Sequence, residues 1–457
     1  MRNVNPLAPS GKASRPAILG WLLFDWACQP FFTLVTTFVF APYFAAALAP
    51  DPVSGQSLWG YATAAAGLAL AILSPVLGSI ADATGPKKPW IAACGLMLVI
   101  ASFALWYAAP GQPYAIAIAL TGFAFGTVAV EVAGVFNNAM IPHLVPPQRY
   151  GRLSGTGWAM GYCGGLVSLV IVLGFLAADP ASMKTVFGLN PLFGLDPATR
   201  EGDRITGPFA ALWFLIFVLP LFLVTPDVPR SGMSLKAAAR KGLLQVRNTI
   251  ADARRHASVG RFLLANMVYQ DALVALFAFG GIYGAGVFGW QAIELGLFGI
   301  MLTITGTIGA LIGGRLDDRI GAKPVILGAI LILALVCVGV LSLGREHIFF
   351  VVPTAPPGDG LYGSAPEKVF VLLGLVIGSV AGPLQASSRS LLARLVPAEA
   401  AGRYFGLLAL SGKVTSFLAP LAVAVATAIF QTQAAGPAVL ILFLLTGFWL
   451  LSGVKRV

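Results

Sequence analysis

The chain has 457 residues, of which 58% are hydrophobic and only 10% charged. So little charge cannot cover the surface of a soluble protein of this length, so a soluble globular class is excluded and lipid is the expected solvent. The net charge of +11 is then read as a matter of membrane orientation rather than as a nucleic-acid surface.

A helix needs about 20 apolar residues to span a bilayer. Twelve segments qualify: 17–48, 58–81, 89–109, 113–142, 153–177, 208–225, 259–288, 292–314, 324–344, 368–393, 404–430 and 436–453. The start is polar and basic (Arg2, Lys12, Arg15), and the first apolar run is too long for the core of a signal peptide, so a spanning helix is expected there. The segments fall into six, a polar interval and six more. This predicts an N-terminal six-helix bundle at 1–225, a basic cytoplasmic linker at 226–258 and a C-terminal bundle at 259–457. The linker carries Arg230, Lys236, Arg240, Lys241, Arg247, Arg254 and Arg255, and is expected to contain an amphipathic surface helix. A calmodulin-type target or a nucleic-acid arm is the alternative reading of that charge.

With the N-terminus placed in the cytoplasm, 23 of the 29 Lys and Arg residues fall on the cytoplasmic side. Five fall opposite, namely Lys184, Arg200, Arg204, Arg345 and Lys368, and Lys413 lies inside helix 11. The asymmetry predicts both termini in the cytoplasm of a multi-pass protein, with a bacterial inner membrane as the expected location. The intervals 178–207 and 345–367, rich in Pro, Gly and Asp, read as outward loops. Cys28, Cys94, Cys163 and Cys337 lie in apolar segments without pairing or ligand spacing and read as small packing residues.

Two repeats tie the halves together. Gly78, Asp82, Gly85 and Lys87, after helix 2, recur 236 positions later as Gly314, Asp318, Gly321 and Lys323, after helix 8. Leu-Val-Pro at 144–146 followed by Gly151, Arg152 and Gly155 recurs 251 positions later at 395–397, Gly402, Arg403 and Gly406. Two parallel six-helix halves are the pattern of the major facilitator superfamily, and the Gly-x-x-x-Asp-x-x-Gly-x-Lys element resembles its loop signature. Arg319 keeps the signature's Arg, whereas Ala83 replaces it in the first copy, which predicts a weaker charge network there. The element is expected to act as a conformational latch. Asp82 and Asp318 sit at helix ends where each could meet the N-terminus of a neighbouring helix.

Within that superfamily the chain resembles the autophagy-related vacuolar effluxer-like transporters and their bacterial relatives. The resemblance is carried by Gly-Trp-Leu-Leu-Phe-Asp-Trp-Ala at 20–27, Phe-Ala-Pro-Tyr-Phe at 40–44, and Asn-Asn-Ala-Met-Ile-Pro-His-Leu-Val-Pro at 137–146. It continues through 151–162, Ser-Arg-Ser at 388–390 and Tyr-Phe-Gly at 404–406. It implies an all-α polytopic fold of twelve transmembrane helices in two pseudo-symmetric bundles, with helices 1, 4, 7 and 10 around a central cavity. Its fungal members are linked to amino-acid export from the vacuole. The family's Asp-Gly in helix 7 is Asp271-Ala272 here.

Four ionisable residues fall on those helices: Asp25, Glu131, Asp271 and Arg389. Charges inside a bilayer are costly and usually face a cavity or a partner. Helical spacing adds Gln29 to the face of Asp25, Asn138 to that of Glu131 and Gln385 to that of Arg389, while Asn266 and Gln270 precede Asp271. With Lys413 of helix 11, this set predicts either a proton-coupled substrate cavity or a gate of ion pairs, such as Asp25 or Glu131 with Lys413 or Arg389. Arg389 could hold a substrate carboxylate in a bidentate contact or form a fixed ion pair with Asp271. Trp158 and Tyr162 predict an aromatic wall or plain packing. Gly155, Gly157, Gly161, Gly164 and Gly165 of helix 5, and Gly306, Gly309, Gly313 and Gly314 of helix 8, predict close helix approach.

No nucleophile, phosphate-loop, metal or cofactor motif is present, so neither an enzyme nor ATP-driven transport is expected. The reading is a secondary transporter of a small polar solute, such as an amino acid, driven by alternating access and linked to protons. The alternatives are a drug or lipid exporter and a non-transporting membrane receptor on the same fold.

Overall fold

A computed structural model describes residues 13–234, 236–242, 244, 257–290, 292–354, 360–415, 418–431 and 435–455. The described residues are mostly helical. We number the spanning helices α1 (Arg15–Leu48), α2 (Pro52–Thr84), α3 (Lys88–Tyr107), α4 (Ala115–Leu144), α5 (Pro147–Leu176), α6 (Glu201–Val224), α7 (Ala257–Tyr283), α8 (Ala292–Ile320), α9 (Ala322–Leu341), α10 (Ala365–Leu395), α11 (described as Ala401–Val414 and Leu418–Phe430) and α12 (Ala435–Ser452). Ten of these are long and apolar enough among the described residues to cross a membrane; α7 and α11 occupy the other two predicted spans.

Local chemistry explains the departures from regular helix. Pro30 cannot donate a backbone hydrogen bond, and α1 widens directly after it into a π-helical stretch, Phe31–Phe38. The hydroxyls of Thr36 and Thr37 donate to the carbonyls of Phe31 and Phe32 there, so backbone groups loosened by the wider turn stay paired in an apolar surround. Gly85 (φ +100°) and Gly321 (φ +92°) turn the chain between α2 and α3 and between α8 and α9. That backbone region is open to glycine and strained for other residues.

Two sequence expectations change. Helix α6 starts at Glu201 rather than 208, and Arg204, read as a loop charge, is buried within it. Its guanidinium stacks over Trp106 at 4.8 Å and donates to the Trp106 carbonyl at 2.8 Å, with the Glu201 carboxylate 3.7 Å away as counter-ion. In the 345–367 interval, His347–Ile348 pairs with Val352–Pro353 as a small hairpin.

The packing is pseudo-symmetric. The contacts α1–α5, α1–α6, α2–α4, α3–α4 and α3–α6 of the first half recur as α7–α11, α7–α12, α8–α10, α9–α10 and α9–α12 in the second. The halves meet through α2 on α11 and through α5 on α8, which is again a symmetric pair, supplemented by α4–α11 and α5–α10. The seams are built from small residues. A Cβ on Gly155 would collide with the Ala310 carbonyl and Gly314, and one on Gly314 with the Gly151 carbonyl. The other seam repeats this: Gly78 lies against the Gly402 carbonyl and Gly406 against that of Ser74. Backbones approach this closely only where side chains are absent.

The linker is partly described. Residues 236–242 are helical, and Ala238 is buried against Ile80 and Ala83 at the end of α2. Arg230, Lys236, Arg240 and Lys241 are exposed, as expected of an amphipathic surface element. Arg247, Arg254 and Arg255 lie outside the described residues.

Candidate functional site

The densest polar contact between the halves is centred on Arg389, six residues before the end of α10 and only 7% exposed. Its Nε donates to Ser154 Oγ and its Nη2 to the Ser154 carbonyl, both at 2.7 Å. Its Nη1 donates to Asn138 Oδ1 at 3.0 Å and to Asp25 Oδ2 at 3.2 Å. One guanidinium of the second half thus holds α1, α4 and α5 of the first. The planar fork suits this work, because it presents several donors in fixed directions. The Ser154 hydroxyl itself donates to the Ala386 carbonyl at 2.7 Å, back on α10. The rings of Trp21 and Trp158 lie 5.3 and 5.9 Å from the guanidinium carbon, and Trp21 is itself fixed by a 2.8 Å bond from its Nε1 to the Asn137 carbonyl. Gly157 is essential to the geometry, since a Cβ there would meet both Asp25 Oδ2 and Arg389 Nη2.

Of the predicted set, the structure brings Asp25, Asn138 and Arg389 together. Gln29 sits beside them on α1 and reaches Thr33 at 3.5 Å, with Gly161 and Gly165 of α5 against it. Gln385 reaches the Tyr162 hydroxyl, also at 3.5 Å, across the halves. Asp271 stands apart: it is 1% exposed, its Oδ1 has no hydrogen-bond partner among the described residues, and the Arg389 guanidinium is engaged by the other half instead. The alternative of an Asp271–Arg389 pair is therefore corrected. Around it, Asn266 contacts Ser411 at 3.5 Å, and the Tyr269 hydroxyl bonds Ser388 at 2.7 Å, tying α7 to α10. Gln270 and Glu131 are half-buried. Lys413 falls in α11, and its side chain lies outside the described residues. Ser154 and Trp21 were not singled out from the sequence. A hydroxyl within the glycine-rich face of helix 5 was the available signal for Ser154.

The repeated loop elements lie at the same end of the molecule. The carboxylate of Asp82 accepts from the backbone N–H of Gly402 at 3.0 Å and of Arg403 at 2.9 Å, at the start of α11, and from Lys87 Nζ at 2.7 Å. Asp318 accepts from the backbone N–H of Arg152 at 3.2 Å, at the start of α5. A carboxylate at a helix N-terminus satisfies free N–H groups and complements the helix dipole. Arg319, expected in this network, is exposed instead. Two guanidiniums meet Asp318, that of Arg394 from α10 at 3.7 Å and that of Arg152 at 4.0 Å; Arg394 also pairs with the fully buried Asp317, which the Ser390 hydroxyl bonds as well. The first copy has fewer charges, but Ala83 is not the cause, because Arg319 stays outside the second network; its bonds are shorter and Lys87 supplies the cation.

The first and last described residues, Ala13 and Lys455, share this end. The Ala13 N–H donates to the Leu144 carbonyl, and Lys323 Nζ to the Ser452 carbonyl. The polar bonds joining the halves are thus concentrated on the side that carries the termini.

Comparison with known proteins agrees with this architecture. The family described as "Vacuole effluxer Atg22 like" matches residues 46–456. The uncharacterized MFS-type transporter YxiO of Bacillus subtilis (strain 168) is 24% identical over 452 residues, spanning 95% of this chain and 94% of the relative. An autophagy-related protein 22 of Cryptococcus neoformans is 24% identical over 282 residues, covering 60% of this chain but only 44% of the relative. Among solved structures, the major facilitator transporter FucP in its outward conformation aligns with a TM-score of 0.70 at 14% identity, covering 97% of this chain and 99% of that one. The proton:xylose symporter XylE aligns with a TM-score of 0.68 at 14% identity, covering 96% and 95%. The chain is a multi-pass membrane transporter of the major facilitator fold, not an enzyme, and belongs to the vacuole effluxer Atg22-like family.

Proposed function

We propose that this protein is a proton-linked secondary transporter for a small polar solute that carries a carboxylate, such as an amino acid. In this reading the end that bears both termini is cytoplasmic, the 1–225 and 259–457 halves rock as two bodies, and the described state is closed on the cytoplasmic side. The observation that carries the reading is the single guanidinium of Arg389 bonded to Asp25, Asn138 and Ser154 of the opposite half. A gate so built must break those bonds to open. Two events can do it with this chemistry. A proton on Asp25 removes the charge of one partner, and a substrate carboxylate can take that partner's place on the fork. Asp271, with a carboxylate oxygen unpartnered among the described residues, supplies a second group able to take up and release a proton.

The test is transport by the purified protein in liposomes, screening amino acids and short peptides with and without a pH gradient. The expected result is gradient-driven flux that falls in Asp25→Asn and Asp271→Asn, with Glu131→Gln as a third probe. Flux indifferent to both the gradient and these substitutions would leave gating as the only role for the cluster. No uptake of polar solutes, but efflux of apolar ones, would favour a drug or lipid exporter.

A further inference from the structure

Among the described residues, the C-terminal bundle contains a partly open cavity of about 160 Å³ whose walls come from all six helices α7 to α12 and from none of the first half. It is separate from the Arg389 cluster: its nearest lining residue on α10 is Ile377, twelve residues or about 18 Å of helix rise away. Among the described residues no charged side chain lines it, and the hydroxyls of Tyr283 and Thr427 are its polar side-chain groups. Tyr283, Phe298 and Phe370 form one wall, with ring centroids of Tyr283 and Phe298 5.4 and 5.7 Å from Phe370 and interplanar angles of 18° and 21°. The hydroxyl of Tyr283 is already committed to the carbonyls of Val340 and Leu343 at 3.3 and 3.2 Å, so it offers no ready donor to a guest. A Cβ built on Gly280, which also lines the cavity, meets nothing within 4 Å.

Water is a poor occupant of such a space, because it needs two to four polar partners. An apolar cavity of about 150 Å³ stays dry and accepts a benzene-sized guest. Left unfilled, a hollow of this size costs packing contacts across a whole bundle. We propose that this cavity is a binding site for a neutral hydrocarbon group of about one ring, distinct from the polar gate. The stacked wall favours a flat guest through offset ring contacts, and the absence of any charged lining residue excludes a carboxylate or ammonium.

The experiment is thermal unfolding of the full chain in detergent, followed by tryptophan emission, with benzene titrated as the probe. Benzene is expected to raise Tm saturably in the wild type, as any ligand of the native state does, and benzoate, the same ring with a charge, is expected to give no shift. Gly280→Leu, which fills the space, is expected to abolish the benzene shift. Thr427→Phe, from α11, fills the same cavity and serves where the first variant fails to fold. An equal shift with benzoate, or a benzene shift that survives filling, overturns the proposal. Repeating the titration in lipid nanodiscs separates the sources of the guest. A shift that persists assigns the site to free aromatic molecules, and one that disappears assigns it to a bilayer acyl chain already in place; either supports a hydrocarbon site.

Discussion

At the scale of single residues, Arg389 was legible because a cation inside the expected span of an apolar helix must have a reason. Its partners were only half legible. Asp25 and Asn138 stood out as polar residues on neighbouring helices, whereas Ser154 is small, common and able to bond its own helix, so only its place on the glycine-rich face of helix 5 marks it out. Arg319 was misread because the loop pattern fixes spacing along the chain and not direction. One residue beyond Asp318, a helix has turned by about 100°, which points Arg319 out of the interface and leaves the role to Arg394. Arg389→Ala leaves Asp25 without its cation in a largely buried site, and breaking a buried pair in this way costs about 3 kcal/mol. Arg389→Lys keeps the charge but not the fork, and is expected to recover only part of that loss because one ammonium cannot reach Asp25, Asn138 and both Ser154 oxygens together. Thermal unfolding of the three proteins checks this: full stability in the lysine variant would mean that charge alone matters.

At the scale of elements, the twelve spans and the repeat offsets were legible because apolar length and glycine spacing are one-dimensional signals. Which helices the glycines serve was not, since that depends on how the halves dock. Ala83 is the instructive case. Read alone it is a defect in a charge signature, but in the fold it is the floor on which the linker lies. Ala238 packs on Ile80 and Ala83, the Ser231 hydroxyl donates to the Ala83 carbonyl at 2.7 Å, and Asp227 accepts from the backbone N–H groups of Lys87 and Lys88 at 2.9 and 2.8 Å, capping α3. A long charged side chain at 83 has no room beneath this strap. Ala83→Arg is therefore expected to lift the linker and cost about 1–3 kcal/mol by overpacking, while Ala83→Ser is expected to be nearly neutral. Limited proteolysis of the linker reads the difference directly; equal cleavage of both variants would show that the strap does not depend on this contact.

At the scale of the whole molecule, the halves are held by two related seams, α2 on α11 and α5 on α8, each a glycine contact closed by an aspartate on the start of the opposing helix. If the halves move as rigid bodies, neither seam can open alone. Each aspartate then stabilises only the state closed at the termini end. Losing one helix cap costs about 1 kcal/mol, which shifts the ratio of closed to open states about fivefold. Where the closed state dominates, that shift leaves most molecules still able to bind from the other side, so apparent substrate affinity changes little while opening becomes faster. Asp82→Asn and Asp318→Asn are accordingly expected to raise the rate of access switching, measured by a distance pair across the termini end, with small changes in substrate affinity. The effect should be larger at Asp82, whose two backbone bonds are the shorter and whose carboxylate also holds the buried Lys87 ammonium. Because one rotation opens both seams, the two losses should add in free energy, so the rate gain of the double variant should approach the product of the single gains. A double variant no faster than the quicker single would show that the seams open independently, and an affinity change without a rate change would move both aspartates out of gating altogether.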